Sequence, residues 1–467
     1  MGDTQIFPTF AGMKARNILL LIVSTLIAPI YLASCGEDRW KAYAEQTATA
    51  QWIDDTMRVW YYWQDEMPTT EEVNYFLAPS TFFSKLLSKS DKFSTIDSLT
   101  TSTRSIPQTE YSYGFQFATY KMSNSSDSIC ALVLYVAEGS PADDAGLKRG
   151  DWIMAMNHEP ITQNNYKTLY GASAMQLTLG TYDATSNQIT ALEPDIQIAS
   201  ARTVNENPIH YYNIYTSGSK RVGYLVYNYF SAGASNGGNE YNDMLQSVFQ
   251  IFANEQVNEF ILDLRYNNGG LLTCAQLLCN MLAPASALGQ PLGYLQYNKR
   301  IQSEPIELSL SQSGINLNLP RLYVLTSNQT ASASEMLINC LRPYMEVVVV
   351  GSTTVGKNVG SITFTNTERQ IEMSPIVCKI YNAEMSSDYE SGIKADYNVS
   401  ESSNLGNFLP FGDINETMLN TALALILNAG SNNEEETENG TTTRTLSDTQ
   451  LLHSSIERRG ENAVRIK

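Results

Sequence analysis

Ser332, in Thr330-Ala331-Ser332-Ala333-Ser334-Glu335, and Lys357, in Gly351-Ser352-Thr353-Thr354-Val355-Gly356-Lys357, are the residues best placed to do chemistry. The chain has three histidines, His158, His210 and His453, and none lies beside a serine or cysteine motif of the usual triad kind. A serine hydroxyl is a weak nucleophile until a base takes its proton, and a desolvated lysine can replace histidine in that role. Burial disfavours the ammonium form and so brings a lysine toward the neutrality a general base needs. A third fragment, Phe260-Ile261-Leu262-Asp263-Leu264-Arg265-Tyr266-Asn267-Asn268-Gly269-Gly270-Leu271, offers glycine amides that can approach a carbonyl closely. Each fragment also has a plainer explanation. Ser332-x-x-Glu335 is a helix-capping box, Lys357 fits a solvated loop, and Asn-Asn-Gly-Gly makes a tight turn. A phosphate loop is excluded, because the glycine spacing before Lys357 is wrong and Asn358 stands where Ser or Thr is required.

The elements around these residues follow from hydrophobic period. From about 205 to 430, short β-branched runs alternate with amphipathic stretches: Val222–Tyr227, Glu259–Leu264, Leu322–Leu325 and Glu346–Val350. That alternation predicts a parallel-rich α/β core covered by helices. It places Ser332 at a strand-to-helix turn, its hydroxyl exposed, above a helix N-terminus able to stabilise an oxyanion. Lys357 follows directly on a buried strand. Upstream, the aromatic run from Trp52 to Trp63 reads as a helix ending near Pro68, with another over Thr81 to Leu87. Residues 40–100 thus read as a small helical N-terminal region whose only inferable role is packing.

Between these regions, residues 105–200 read as β-rich. They contain Gly139-Ser140-Pro141-Ala142, then Ala145-Gly146-Leu147-Lys148-Arg149-Gly150-Asp151-Trp152-Ile153. Pro141 suits a first helical turn, Gly146 closes that helix, and Gly150-Asp151 turns the chain into a strand. The run resembles the signature of PDZ domains, which add extended peptides to a sheet edge and hold the terminal carboxylate on backbone amides. The resemblance implies that Tyr113-Gly114-Phe115 is the carboxylate loop.

Taken in order, the Asp263-to-Gly270, Ser332 and Lys357 fragments resemble the C-terminal processing peptidases, also called tail-specific proteases. The 25-residue step from Ser332 to Lys357 is the family's, and Ser391-Gly392-Ile393-Lys394-Ala395-Asp396 is similar to a late family segment. The likeness spans roughly residues 105–400. It implies a crotonase/ClpP-like α/β core with an inserted PDZ-like domain. By the same likeness Ser332 is the nucleophile, Lys357 its base, and the amides of Gly270 and Ala333 the oxyanion hole, with no metal or cofactor. Two positions depart from the family: Pro343 replaces an acidic residue, and Ser361 a glutamine that orients the lysine. A third catalytic residue is therefore open between Glu335, Ser361 and none. The rival expectation is an inactive PDZ-containing scaffold or holdase, although such a protein would need neither Ser332 nor Lys357.

Composition limits the partners. A net charge of −18 lacks the clustered Lys and Arg that phosphate binding needs, which excludes nucleic acid and leaves protein or peptide substrates with exposed C-termini. Residues 1–35 read as a secretory leader: a basic stretch, Lys14 and Arg16, then an apolar run from Ile18 to Leu32 too short to span a bilayer, then small residues. Leu32-Ala33-Ser34-Cys35 resembles a lipobox, which implies lipidation of Cys35 and tethering to a membrane in the cell envelope. Cys130, Cys274, Cys279, Cys340 and Cys378 are expected to be buried small hydrophobes. Residues 431–467 read as a disordered acidic and polar tail.

Overall fold

The computed structural model describes residues 40–99, 109–121, 129–171, 173–186, 188–235, 237–301, 306–311, 314–428, 450–459 and 464–465. Cys35, the rest of the leader and residues 431–449 lie outside these. The chain is mixed α/β and divides into two compact units, residues 1–55 with 69–85, and residues 56–68 with 86–467. In the smaller unit Tyr75 donates to Asp54 at 2.8 Å and its ring lies 5.2 Å from that of Phe82. The expected helices are present, over Trp40–Trp60 and Pro79–Leu86.

The larger unit is built on a six-stranded sheet. Lys220–Tyr227, Glu259–Asp263, Arg321–Thr326, Glu346–Gly351 and Tyr397–Asn398 pair in parallel, and Ile209–Ser217 closes one edge antiparallel. Side chains two apart share a face, and both faces are apolar. Leu225, Tyr227, Leu262 and Val324 pack under the helices Glu240–Asn254, Leu272–Leu282 and Ala333–Leu341. Tyr224, Val226, Ile261 and Leu325 face the helix Thr417–Asn428 and the β-rich insertion. Cys274 and Cys279 share one helix, as expected, and they, Cys340 and Cys378 are buried while Cys130 is half-buried.

Within the insertion, strands run in the order Phe115–Lys121, Ile129–Val136, Trp152–Met156, Met175–Asp183 and Gln188–Ala191. Ser140 caps the short helix Pro141–Asp144 by accepting from Asp143 N–H, and Gly146 and Gly150 take positive φ as the turns require. Arg149, in the turn between them, fastens this insertion to the core. It donates to Glu401 and to the Tyr266 hydroxyl at 2.9 Å, and lies 3.9 Å from the Phe408 ring centroid.

Two expectations need correction. The region 40–100 is not purely helical, because Thr95–Ser98 forms a strand paired with Ile371–Ser374. Nor does a tail run on from 431 to the end. Gln450–Ser454 is a strand antiparallel to Phe115–Lys121, followed by a turn over Ser455–Arg459, and Val464–Arg465 pairs with Val359–Ser361. Composition predicts disorder only when nothing offers an apolar face or a free sheet edge. Here the insertion offers both.

Candidate active site

Three turns at the carboxyl ends of adjacent parallel strands meet around Ser332. After the strand Arg321–Thr326, Ser327 and Thr330 tie the chain down: their hydroxyls donate to the carbonyls of Arg265 and Leu264. Ala331 N–H and the Ser334 hydroxyl both reach the Asn267 carbonyl, at 3.1 and 3.0 Å. The turn bearing Ser332 is thus stitched to the turn that ends in Gly269-Gly270. Asn267 holds the second turn in shape, its side chain donating to Tyr227 and accepting from Gly269 N–H at 2.8 Å each.

Ser332 takes φ 67° and ψ −116°, a strained conformation for a residue with a side chain. A capping box would not require it. Ser332 and Glu335 do stand in a capping-box arrangement, with Glu335 accepting from Ser332 N–H at 2.8 Å, but Ser332 Oγ makes no hydrogen bond of normal geometry among the described residues. A buried hydroxyl in that state forgoes about 1–3 kcal/mol. Strain plus an unsatisfied hydroxyl is what distinguishes this serine from a helix cap. The expectation of an exposed hydroxyl fails, since Ser332 and Lys357 both have zero exposure. The reason is close packing. A Cβ added at Gly269 would lie 2.6 Å from Ser332 Cβ and 2.9 Å from its Oγ.

Lys357 reaches this place through Glu335. The carboxylate accepts Lys357 N–H at 2.7 Å, Gly356 N–H at 2.6 Å and the Thr354 hydroxyl at 2.5 Å, besides Ser332 N–H. One Glu335 oxygen, Oε2, therefore holds the backbones of both Ser332 and Lys357. Burial pushes the Glu335 carboxyl above its usual range, against the pull of these four donors. Thr354 is pinned in turn by the late segment, its N–H donating to the Ile393 carbonyl and its hydroxyl accepting from Ile393 N–H. The Lys357 ammonium lies 4.9 Å from the centroid of the Phe93 ring, which belongs to the region read from sequence as packing alone.

The remaining candidates divide. Gly270 has φ 137° and Phe230 O so close that a Cβ would lie 2.1 Å from it. Among the described residues no acceptor is found for the N–H of Gly270 or of Ala333, whereas Gly269 N–H is taken by Asn267. Ser361 is buried with its hydroxyl unpartnered among the described residues, and Pro343 follows the C-cap Arg342 of the Ser332 helix. Tyr113, Gly114 and Phe115 stand apart from this centre, at the start of the edge strand of the insertion, where Gly114 has φ 80°. The sequence leaves Glu335 open as a third catalytic residue and as a helix cap; that one of its oxygens joins the backbones of Ser332 and Lys357 is visible only in the fold.

The predicted effect of Gly269→Ala follows from these contacts. At φ 113° the substitution adds about 1–3 kcal/mol of strain, and its methyl displaces Ser332. We expect turnover to fall about 10²-fold, with a melting curve still cooperative; steady-state kinetics and calorimetry measure both.

The sequence pattern of peptidase family S41 matches residues 221–399, and that of the peptidase S41 N-terminal domain matches residues 48–95. A solved structure from Bacteroides fragilis NCTC 9343, described as an S41 protease, is 41% identical, covers 81% of this chain and 98% of its own, and superposes with a TM-score of 0.75. A carboxyl-terminal-processing protease of Picosynechococcus is 26% identical over 228 residues, 49% of this chain and 50% of that protein. Carboxyl-terminal-processing peptidase 3, chloroplastic, of Arabidopsis thaliana is 27% identical over 50% of this chain and 44% of its own length. The chain spans half or less of these curated relatives. With the strained Ser332 and the Lys357 turn in the matched span, the chain belongs to peptidase family S41, the C-terminal processing peptidases.

Proposed function

We propose that this chain is an exported serine endopeptidase that cleaves proteins recognised through their C-termini, with Ser332 as nucleophile and Lys357 as general base. The observation that supports it most is the strained Ser332 with its buried, unpartnered hydroxyl, joined through one Glu335 oxygen to the Lys357 backbone. Neutral Lys357 Nζ takes the Ser332 hydroxyl proton as Oγ bonds to the scissile carbonyl carbon. The N–H groups of Gly270 and Ala333 hold the oxyanion. Collapse breaks the C–N bond and the leaving amine receives the proton from Lys357, leaving an ester on Ser332. Water then gives a proton to Lys357 as its oxygen attacks the ester, and collapse breaks the bond to Ser332 Oγ, which takes that proton back from Lys357, releasing a carboxylic acid and restoring both residues. Glu335 acts as a positioning residue, since its oxygens are filled by N–H and hydroxyl donors.

The β-rich insertion is the substrate-presenting, PDZ-like module, with Tyr113-Gly114-Phe115 as its carboxylate loop. The same proposal has a lipid on Cys35 holding the enzyme in the cell envelope, an expectation supported by the lipobox-like Leu32-Ala33-Ser34-Cys35 and tested by the intact mass of membrane-extracted protein. One experiment tests the catalytic reading and substrate class together. Wild type and Ser332→Ala are given an unfolded protein with a free or an amidated C-terminus. Cleavage by wild type alone, faster on the free terminus, is expected. Equal cleavage by both enzymes refutes the nucleophile, and equal rates on both substrates refute terminal recognition.

A further inference from the structure

The strand Gln450–Ser454 occupies the outer edge of the insertion's sheet, on Phe115–Lys121. Its direction is informative. Gln450 pairs with Lys121, Leu451 with Tyr120, His453 with Thr119 and Ser454 with Ala118, so the segment runs toward Gly114 as it proceeds. An added peptide whose terminal carboxylate is destined for the Tyr113-Gly114-Phe115 turn must run the same way. At the next step Ser455 Oγ accepts Phe117 N–H at 2.8 Å, the bond that a carbonyl or carboxylate oxygen of such a peptide would otherwise take. Ser455 in turn donates to the Gln116 side chain at 2.6 Å.

The side chains repeat the pattern. The register shifts between Leu451 and His453, and the intervening Leu452 packs against the cluster that contains Phe115 and Phe117. On the far side stands the 3-10 turn Tyr166–Tyr170. The Tyr170 hydroxyl bonds His453 Nε2 at 2.5 Å, and the Tyr166 ring lies 5.2 Å from the imidazole. Ile456, fully buried, follows the segment and joins the cluster that contains Tyr120 and Leu132. An edge strand, a side-chain pocket between that strand and a helical turn, and a segment running toward a glycine turn match the parts of a strand-addition peptide site. The site is filled by the chain itself.

We infer that residues 450–456 are a resident self-ligand of this cleft, and that an extended peptide C-terminus with an aliphatic side chain at the Leu452 position must displace them to bind. The inference rests on the C-terminal recognition proposed above and adds its regulation. The grip is a limited one: one edge ladder broken by a shift, two aliphatic anchors, Leu452 and the buried Ile456, and a few hydrogen bonds. The segment is tethered through residues 429–449, and tethered ligands of this sort act at about millimolar effective concentration. Against an intrinsic affinity of about 10–100 μM, that closes the cleft roughly ten- to a hundredfold and weakens incoming peptides by the same factor.

Fluorescence anisotropy tests this in a Ser332→Ala background, so that no peptide is cut. A labelled peptide with a free aliphatic C-terminus is titrated into the full chain, into a chain ending at Thr449, and into full-length Leu452→Asp, which breaks the Leu452 anchor if truncation harms folding. Both altered chains should bind at least tenfold more tightly, and a synthetic amidated peptide of residues 450–459 should compete on the truncated chain. Equal affinity across the three proteins, or no binding of the 450–459 peptide to a truncated chain with an intact melting transition, overturns the inference. A different outcome sinks the recognition reading alone: the 450–459 peptide binds, yet free and amidated C-terminal peptides do not differ on any of the proteins.

Discussion

Lys357→Ala lowers kcat/KM by at least about 10⁴-fold, to nearly the level of Ser332→Ala, while the thermal transition stays cooperative. The two losses should be about equal, and the double variant should be no worse, because nucleophile and base act as one unit. Lys357→Arg discriminates further. A guanidinium keeps its proton at any accessible pH, so it retains the positive charge and much of the length but cannot accept the serine proton. We expect Arg to be as inactive as Ala. If Arg restores even a tenth of wild-type activity, Lys357 supplies charge rather than basicity. The pH profile has a definite sign. The base must be neutral, so kcat/KM rises with pH through the titration of the base.

The frame of this site was legible in the sequence for a simple reason. Parallel strands buried on both faces read as continuous apolar runs, and Glu259–Asp263, Arg321–Thr326 and Glu346–Gly351 are such runs. Their carboxyl ends are where loops converge, which put Ser332, Gly270 and Lys357 in one region. Hydrogen-bond valence at long range was not legible. Nothing local reveals that Glu335 accepts from residues about twenty positions downstream, or that Phe93 reaches the lysine. Burial of Ser332 was misjudged because exposure at a turn depends on what packs over it, and Gly269 packs there without a side chain to announce it. The segment 450–459 was missed for a related cause. A polar stretch acquires structure only from an edge strand more than three hundred residues away.

The same Asp263-to-Gly270 fragment carries the second large effect. Arg265 has zero exposure and is held by three carboxylates. Its guanidinium donates to Asp263 at 2.8 Å, to Glu416 at 2.7 Å and to Glu401 at 3.0 Å. Removing it leaves Asp263 and Glu416 buried without their cation, so Arg265→Met should cost about 3–5 kcal/mol. The carboxyls do not respond to acid alike. Burial pushes Glu416 up, but Arg265 beside it and Arg149 beyond hold it down to about 2, whereas burial wins at Asp263 and its carboxyl lies above the usual range. A depressed carboxyl contributes stability that is present above its unfolded value, 4.5, and lost as pH falls toward 2. For Glu416 alone that is about 3 kcal/mol; Asp263 acts in the opposite sense and trims the loss. Wild type should therefore melt progressively earlier between pH 4.5 and 2, and Glu416→Gln, already several degrees lower at neutral pH, should show a flatter profile there. Parallel profiles for the two proteins would remove Glu416 from the acid response. Activity should fall along with stability in Arg265→Met, since Arg265 and Tyr266 immediately precede the turn that supplies Gly270, and Arg149 of the insertion bonds Tyr266 and Glu401 of the same cluster. Arg149→Ala leaves Arg265 its three acids but strips the insertion of its buried bonds to the catalytic turn, so stability should fall by about 1–3 kcal/mol and KM for protein substrates should rise more than kcat falls.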